Sequence, residues 1–510
     1  MAECIIINGG ITNPTENYSK IQRSLGAYRI ASALIESGYS TFVFDYVVEF
    51  TKEEILQVLK KHLDKKTIWV GFSSTFFWPE TGNDIVKNKT HDEKCSMKNE
   101  MYWKSDPAQI HEILDYIRTN SDAKIVYGGT KTPFVMLDNK IDYYVLGNAD
   151  VSVLDLTDYL AGKKQSIEHA EEIQIDGVKS CKIDSFKYDE PKMDCISTHW
   201  WDKNFNILRG ESLPIEMARG CIFKCKFCSY PLLGKKKGTY LRSYEEVKDE
   251  LIRTYESTGT TSYYLTDDTF NDDNDKLEEL HKMFTSLPFK PKLTCYLRID
   301  LMNKYPHQAQ LLTEMGLIGT FFGIETLQPD SAKAIGKGLH PNKVKDRLYW
   351  LAEQWKNKVN ISSGFILGLP YDTREYFDEL FEWSLEDDNP LQEIMFYPLM
   401  LFNYKNKELD KFNSKFGINP QIYGYEFDTI SNWKLPSQQL NYSTCKNISE
   451  YFHQFRAPKN KIAAFGMHNM ANLGVTYEDM FEMTENELIV KYNIPELNRI
   501  KVEEYKNLIL

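Results

Sequence analysis

Short apolar runs alternate with amphipathic stretches over the first 150 positions. Runs at 4–8 (Cys4-Ile5-Ile6-Ile7-Asn8), 41–45, 67–73, 123–127 and 143–146 predict strands. Apolar residues spaced by three and four predict helices at 25–35, 53–63 and 110–118, the first stopped by Gly38. A polar insertion at 79–106 interrupts the rhythm. Strands that are apolar almost throughout, each followed by a helix, predict an α/β fold with a doubly wound (Rossmann-like) parallel sheet. Ligands of such sheets bind at the carboxyl ends of the strands. Here those ends carry Gly9, Gly10 and Thr12; Ser73 and Ser74; Gly128, Gly129 and Thr130; and Gly147 with Asn148. Small residues there let a large ligand approach the backbone, although a glycine pair also serves a tight turn.

Residues 166–209 are polar with little periodicity and read as a connector. His199-Trp200-Trp201 within it reads as local packing. From Leu213 the rhythm resumes: strands are expected at 214–218, 262–266, 294–300, 319–326 and 361–367, with helices at 244–256 and 308–315 between them. Beyond about Leu401 the pattern turns mainly helical (404–416, 444–455, 484–500), with a break around Gly474. This aromatic-rich tail is expected to cover the site. Tyr397, Tyr404, Tyr423, Tyr425, His453, His468 and Met470 are candidate pocket residues, with a place in the core as the alternative for each.

The totals narrow the class. At 510 residues two to four domains are expected, and 42% hydrophobic with 26% charged residues is the balance of a globular protein. A net charge of −12 argues against a broad nucleic-acid or anionic-membrane surface. No run is long and apolar enough to span a bilayer, and the opening residues lack the pattern of a secretory signal. The nine cysteines, mostly scattered, fit a reducing cytoplasm better than a disulfide framework.

Three of those cysteines stand together. Cys221, Cys225 and Cys228 have the spacing C-x3-C-x2-C behind Arg219-Gly220. Thiolates suit iron–sulfur clusters or zinc, and a closed site needs four ligands where this run supplies three. Two readings stay open: a cluster with one iron left free, or a zinc knuckle that borrows His199 or Cys195.

The spacing resembles the cluster loop of the radical S-adenosylmethionine (radical SAM) superfamily, and motifs in the right order extend the resemblance over about residues 210–395. It implies a 4Fe–4S cluster on Cys221, Cys225 and Cys228, with S-adenosylmethionine chelated at the open iron and cleaved to a 5′-deoxyadenosyl radical. The implied fold is a partial (β/α)6 TIM-like barrel with its chemistry at the carboxyl ends of the strands. Phe227 would face the adenine. Asp267 and Asp268 of Asp-Asp-x-Phe would take the ammonium of S-adenosylmethionine, or Asp268 or Thr269 would cap the following helix. Arg298 and Glu325 would reach the cofactor, or pair with each other. Residues 361–370 resemble the family's Gly-x-Ile-x-Gly-x-x-Glu element, with Gly364 and Ile366 against the adenine and Tyr371 at the acidic position. The basic loop Gly234 to Gly238 is a solvated turn or an anion contact.

Residues 1–165 resemble the cobalamin-binding domain that precedes the core in one branch of the superfamily, without the Asp-x-His-x-x-Gly element that supplies cobalt with a histidine. The resemblance therefore implies 1–165 as a cobalamin-binding-like domain, 166–209 as a connector, 210–400 as the radical SAM barrel and 401–510 as a helical cover. It implies a methyltransferase acting on an unactivated centre, with a flavodoxin or ferredoxin as electron donor. The alternatives are cobalamin-independent radical chemistry (cyclisation, rearrangement or sulfur insertion) and a zinc-stabilised binding module. The substrate is not legible.

Overall fold

The computed structural model describes residues 2–9, 11–13, 18–20, 22–74, 107–129, 140–189, 193, 196–404, 410 and 412–510. The chain divides into two compact units. The first comprises Met1–Glu211, Asp249–Thr260 and Ile494–Leu510; the second comprises Ser212–Lys248 and Thr261–Asn493. No helix among the described residues is long and apolar enough to cross a membrane.

In the first unit, β1 (Cys4–Ile7), β4 (Thr41–Phe44), β5 (Trp69–Ser73), β6 (Lys124–Gly129) and β7 (Tyr143–Leu146) form a parallel sheet; the intervening β2 (Ile11–Asn13) and β3 (Tyr18–Lys20) pair as a separate hairpin. The apolar runs become the central strands because every residue of β1 and β4 is buried on both faces. Past β7 the sheet continues with β9 (Val178–Asp184) and β8 (Ala170–Ile175), in the order β4-β1-β5-β6-β7-β9-β8, so the expected connector is in part sheet. β8 and β9 form an antiparallel hairpin, and β9 docks parallel to β7. Asp176 and Gly177, both left-handed, make its two-residue turn. The helix Ile494–Ile509 also belongs to this unit, where the Tyr505 hydroxyl accepts the Asp45 amide proton and Lys506 meets Glu54 at 2.7 Å.

The second unit holds six parallel strands in sequence order: β10 (Leu213–Ile215), β11 (Ser262–Leu265), β12 (Lys292–Leu297), β13 (Leu317–Glu325), β14 (Asn360–Leu367) and β15 (Glu393–Pro398). β10 and β15 do not pair, which leaves the barrel open. Along β13, Ile318, Thr320, Phe322 and Ile324 are buried, while Phe321, Gly323 and Glu325 on the other face stay partly accessible. That second face is the concave one.

The tail is not confined to the carboxyl ends of the strands. The helix Gly466–Asn472 seals the opposite, amino-terminal end of the barrel. His468 lies between Ser262 at the start of β11 (Nδ1 to Oγ, 2.8 Å) and Thr294 on β12 (Nε2 to Oγ1, 2.7 Å). A side chain at Gly319 would collide with Met467 and Ala464. Burial drives His468 down to about 3, so it is a neutral core group. His468 and fully buried Met470 are therefore core, as is Tyr425, whose hydroxyl bonds the Gly368 carbonyl.

Candidate active site

The chain leaving β10 turns through Gly220, whose φ of +104° is open to glycine at little cost. A Cβ there would also strike the Lys235 stem and the Leu232 carbonyl. The cysteine loop is tied by its own backbone: Cys221 N–H donates to Leu232 (3.0 Å), Gly234 N–H to Cys221 (2.7 Å) and Cys228 N–H to Cys225 (3.2 Å). Cys221 is buried and the other two are half-buried. The three thiols lie within one another's electrostatic reach, and burial raises Cys221 and pushes Cys228 up to about 11. Unligated, those two are thiols that would release protons on taking a metal.

Among the described residues no three His, Cys, Asp or Glu side chains converge tightly enough to hold a single metal ion. A tetrahedral zinc with Zn–S near 2.3 Å would need sulfurs about 3.8 Å apart. His199 is committed elsewhere, 2.8 Å from Glu36, and Cys195 lies outside the described residues. Three thiols on one loop, with no fourth ligand beside them among the described residues, fit a larger, sulfide-bridged cluster rather than a zinc knuckle.

Around the loop the strand ends supply polar groups. Asp267, after β11, is buried: Oδ1 accepts the amides of Met217 (2.8 Å) and Ala218 (3.1 Å), and Oδ2 lies 3.5 Å from Lys276. Burial lifts it to about 6 against the pull of Lys276. Asp268 is exposed, yet protein crowds it on its other sides; desolvation, then Asp267, raise it to about 6, and Tyr230 bonds it. Neither Asp268 nor Thr269 caps a helix, because the next one (Asn274–Thr285) is capped by Asp273. Thr269 instead places Oγ1 3.7 Å from Cys221 Sγ.

Arg298 does not pair with Glu325. Its Nε and Nη2 hold Asp300 bidentately (3.0 and 2.6 Å), its plane lies 3.8 Å over the Phe223 ring, and Nη1 donates to Cys225 Sγ at 3.5 Å. Glu325 faces Lys337 at 3.6 Å, and burial raises its pKa. Its φ of +69° coincides with a register shift against β14, a bulge that aims the carboxylate. Next to it Gly323 faces Gly364, where a Cβ would meet Phe321 and Tyr397 at 3.1 Å. Phe227 and Ile366 are half-buried. At the position of the family's acidic element, Tyr371 is exposed. Asp372 is buried, accepting Gly368 and Leu369 amides and the Ser331 hydroxyl, so it ties the turn together.

The site thus gathers the cysteines, Asp268, Arg298 and Glu325, and sets Asp267 beneath them as a strap. Tyr397, a candidate pocket residue, is on the concave face; the sequence reading leaves out Tyr230, Asp300, Lys337 and the ring of Tyr296, although alternation along β12 points the last inward.

In the first unit Gly10 and Thr130 lie outside the described residues, and Thr12 sits in β2. The space above Gly129 is filled by Ser74 and that above Gly147 by Phe186, so these glycines also serve packing within the unit. Ser73 ends β5, Gly128 is the penultimate residue of β6, Gly9 lies two residues past β1, and Asn148 follows Gly147. Beside them Asn8 and Tyr28 donate to Asp45 (2.8 and 2.7 Å), and Arg23 pairs with Glu211 at 2.7 Å.

Residues 215–384, about a third of the chain, match the family model described as the radical SAM superfamily. Among curated proteins, it is similar to the hopanoid C-2 methylase of Rhodopseudomonas palustris (strain TIE-1), with 29% identity over 35% of this chain and 34% of the relative. It is also similar to the bacteriochlorophyllide d C-8(2)-methyltransferase of Chlorobaculum tepidum, with 25% identity over 34% of this chain and 39% of the relative. The matched stretches span well under half the length of these relatives. In fold the chain resembles TsrM, a radical S-adenosylmethionine methyltransferase from Kitasatospora setae solved with cobalamin and a [4Fe-4S] cluster (TM-score 0.55, 16% identity, 83% of this chain and 76% of that one). It also resembles OxsB, a cobalamin-dependent S-adenosylmethionine radical enzyme (TM-score 0.54, 13% identity, 83% of this chain and 56% of that one).

Proposed function

We propose that this protein is a radical SAM enzyme that holds a 4Fe–4S cluster on Cys221, Cys225 and Cys228, cleaves S-adenosylmethionine reductively, binds cobalamin, and methylates an unactivated centre. The observation that carries the reading is the three-thiol loop, with no fourth ligand among the described residues, beside Asp268, Arg298 and Glu325. When bound, the cluster supplies the electron that splits the sulfonium into methionine and a 5′-deoxyadenosyl radical, and cobalamin supplies a carrier for a methyl group.

The chain's own residues bind and position. Asp268 accepts the ammonium of S-adenosylmethionine as a charge-assisted hydrogen bond. Arg298 is held by Asp300 and Phe223, and its Nη1, which donates to Cys225 Sγ, is placed to reach a carboxylate beside that sulfur. Glu325 and Lys337 offer polar groups to a ribose, and the Phe321 and Tyr397 rings over Gly364 offer apolar faces to an adenine. Methyl transfer is supported by the methylase and methyltransferase activities of the hopanoid and bacteriochlorophyllide relatives.

Anaerobic reconstitution with iron and sulfide, then incubation with S-adenosylmethionine and dithionite, tests the reading. It predicts about four irons per chain, 5′-deoxyadenosine, and S-adenosylhomocysteine once cobalamin is present. Cys225→Ala should lose both iron and products. Zinc at one per chain without sulfide would sink the reading.

The filled space above Gly129 and Gly147, together with the lack of histidine after β1, favours a second reading in which the radical chemistry runs without cobalamin. Corrin absorbance retained after gel filtration separates the two.

A further inference from the structure

Hydrogen-bond donors gather on the sulfurs of the cysteine loop. Cys228 Sγ accepts the backbone N–H of Tyr230 at 3.5 Å, and Cys221 Sγ takes the corresponding amide of Phe223, two residues on in each case. Two more donors reach in from strand ends outside the loop. Arg298 Nη1 donates to Cys225 Sγ at 3.5 Å, and the Thr269 hydroxyl lies 3.7 Å from Cys221 Sγ. The loop amides belong to the loop's own backbone, and Arg298 is also engaged in the ion pair with Asp300. Thr269 has no comparable second duty. It is buried, it caps no helix, and among the described residues its hydroxyl meets only Cys221 and the Asp268 carbonyl, the latter at 2.8 Å.

A hydroxyl carries one proton and can rotate it between acceptors. While Cys221 is a thiol, its S–H donates to Oγ1 and the hydroxyl passes its own proton to the Asp268 carbonyl, so the two contacts run as a chain. Once Cys221 is a thiolate holding a metal, the S–H is gone, and the hydroxyl turns to the sulfur as a charge-assisted donor. Threonine serves both states. Valine, of nearly the same shape, serves neither.

We propose that Thr269 is a positioning residue that acts through Cys221: its hydroxyl donates to the sulfur and raises the reduction potential of the iron–sulfur group held there, an inference that rests on the radical SAM reading of the cysteine site. Reduction takes one electron from an external one-electron donor, which is itself oxidised by one. No bond of the chain forms or breaks, and the hydroxyl keeps its proton. The added negative charge spreads onto the sulfurs, where a hydrogen-bond donor stabilises it. Burial of the site and the neighbouring Asp268 both oppose negative charge on Cys221 and Cys228, so each donor counts against that background. Loss of the hydroxyl therefore lowers the potential.

The test compares wild type with Thr269→Val, which loses the hydroxyl, and Thr269→Ser, which keeps it. Each full-length protein is reconstituted with iron and sulfide and titrated with titanium(III) citrate in the absence of S-adenosylmethionine. Electron paramagnetic resonance reads the reduced fraction. The Val variant is expected to favour the oxidised state about tenfold more than wild type, a shift of about 59 mV to lower potential for one electron. Its iron content should match that of wild type, and the Ser variant should return to the wild-type potential. An unchanged potential in the Val variant, or a Ser variant that follows Val, would overturn the proposal. Equal loss of iron in both variants would overturn it too, because Thr269 would then serve only the fold of the loop. A wild-type protein that takes up no sulfide-bridged cluster would sink the underlying reading instead; a cluster whose potential ignores Thr269→Val sinks this inference alone.

Discussion

Asp267 turns its carboxylate under the cysteine loop, where Oδ1 takes two backbone amides and Oδ2 faces Lys276; its neighbour Asp268 looks out beside Tyr230. Adjacent residues with the same chemistry therefore have different duties. Asp267→Ala leaves buried Lys276 with Asp272 alone and the Met217 and Ala218 amides unbonded. A loss of about 3 kcal/mol in stability is expected by chemical denaturation. Asp268→Asn should leave the melting curve nearly unchanged and weaken S-adenosylmethionine binding roughly tenfold, read by equilibrium dialysis. Because Asp268 sits at about 6, wild-type affinity should fall as pH drops through 6, and the Asn variant should show no such step. The motif marked both aspartates; only their burial assigns the roles.

At the scale of elements, the helix Gly466–Asn472 decides how the barrel closes below the site. His468 bonds Ser262 and Thr294 as a neutral ring, and its pKa is depressed from 6.5 to about 3 by burial. Between those values the unfolded chain holds a proton that the folded chain does not. Stability is therefore full above pH 6.5 and falls as the pH drops toward 3, by about 1.4 kcal/mol per pH unit from this group. His468→Gln should lower stability at pH 7.5 yet flatten this slope, measured by urea denaturation across pH 4–7.5. The hairpin β8–β9 shows why an element escapes a periodicity reading. β8 is an edge strand whose apolar alternation is confined to Ile173 and Ile175, too short to announce it. The Asp176-Gly177 turn was the available signal.

For the whole molecule, two units are woven from discontinuous segments, and the last helix returns to the first. There Tyr505 closes over Arg23, whose guanidinium also meets Glu211, Tyr28 and Tyr46. Deleting residues 494–510 removes one wall of that buried charge. The amides of the first sheet should exchange hydrogen at least about tenfold faster, while those of the β10–β15 sheet hold their protection, as read by mass spectrometry. Equal loosening of both sheets would refute this assignment.

The succession of strands and helices was legible along the chain, because a parallel strand buried on both faces must be apolar throughout, and because the ligand chemistry of three cysteines is local to ten residues. The pairing of Arg298 with Asp300, the burial of Asp267 against the exposure of Asp268, the seat of His468 and the return of the last helix were decided only by the tertiary structure. Each depends on groups far apart in sequence sharing one low-dielectric space, where distance and desolvation, which a linear pattern does not record, select the partner.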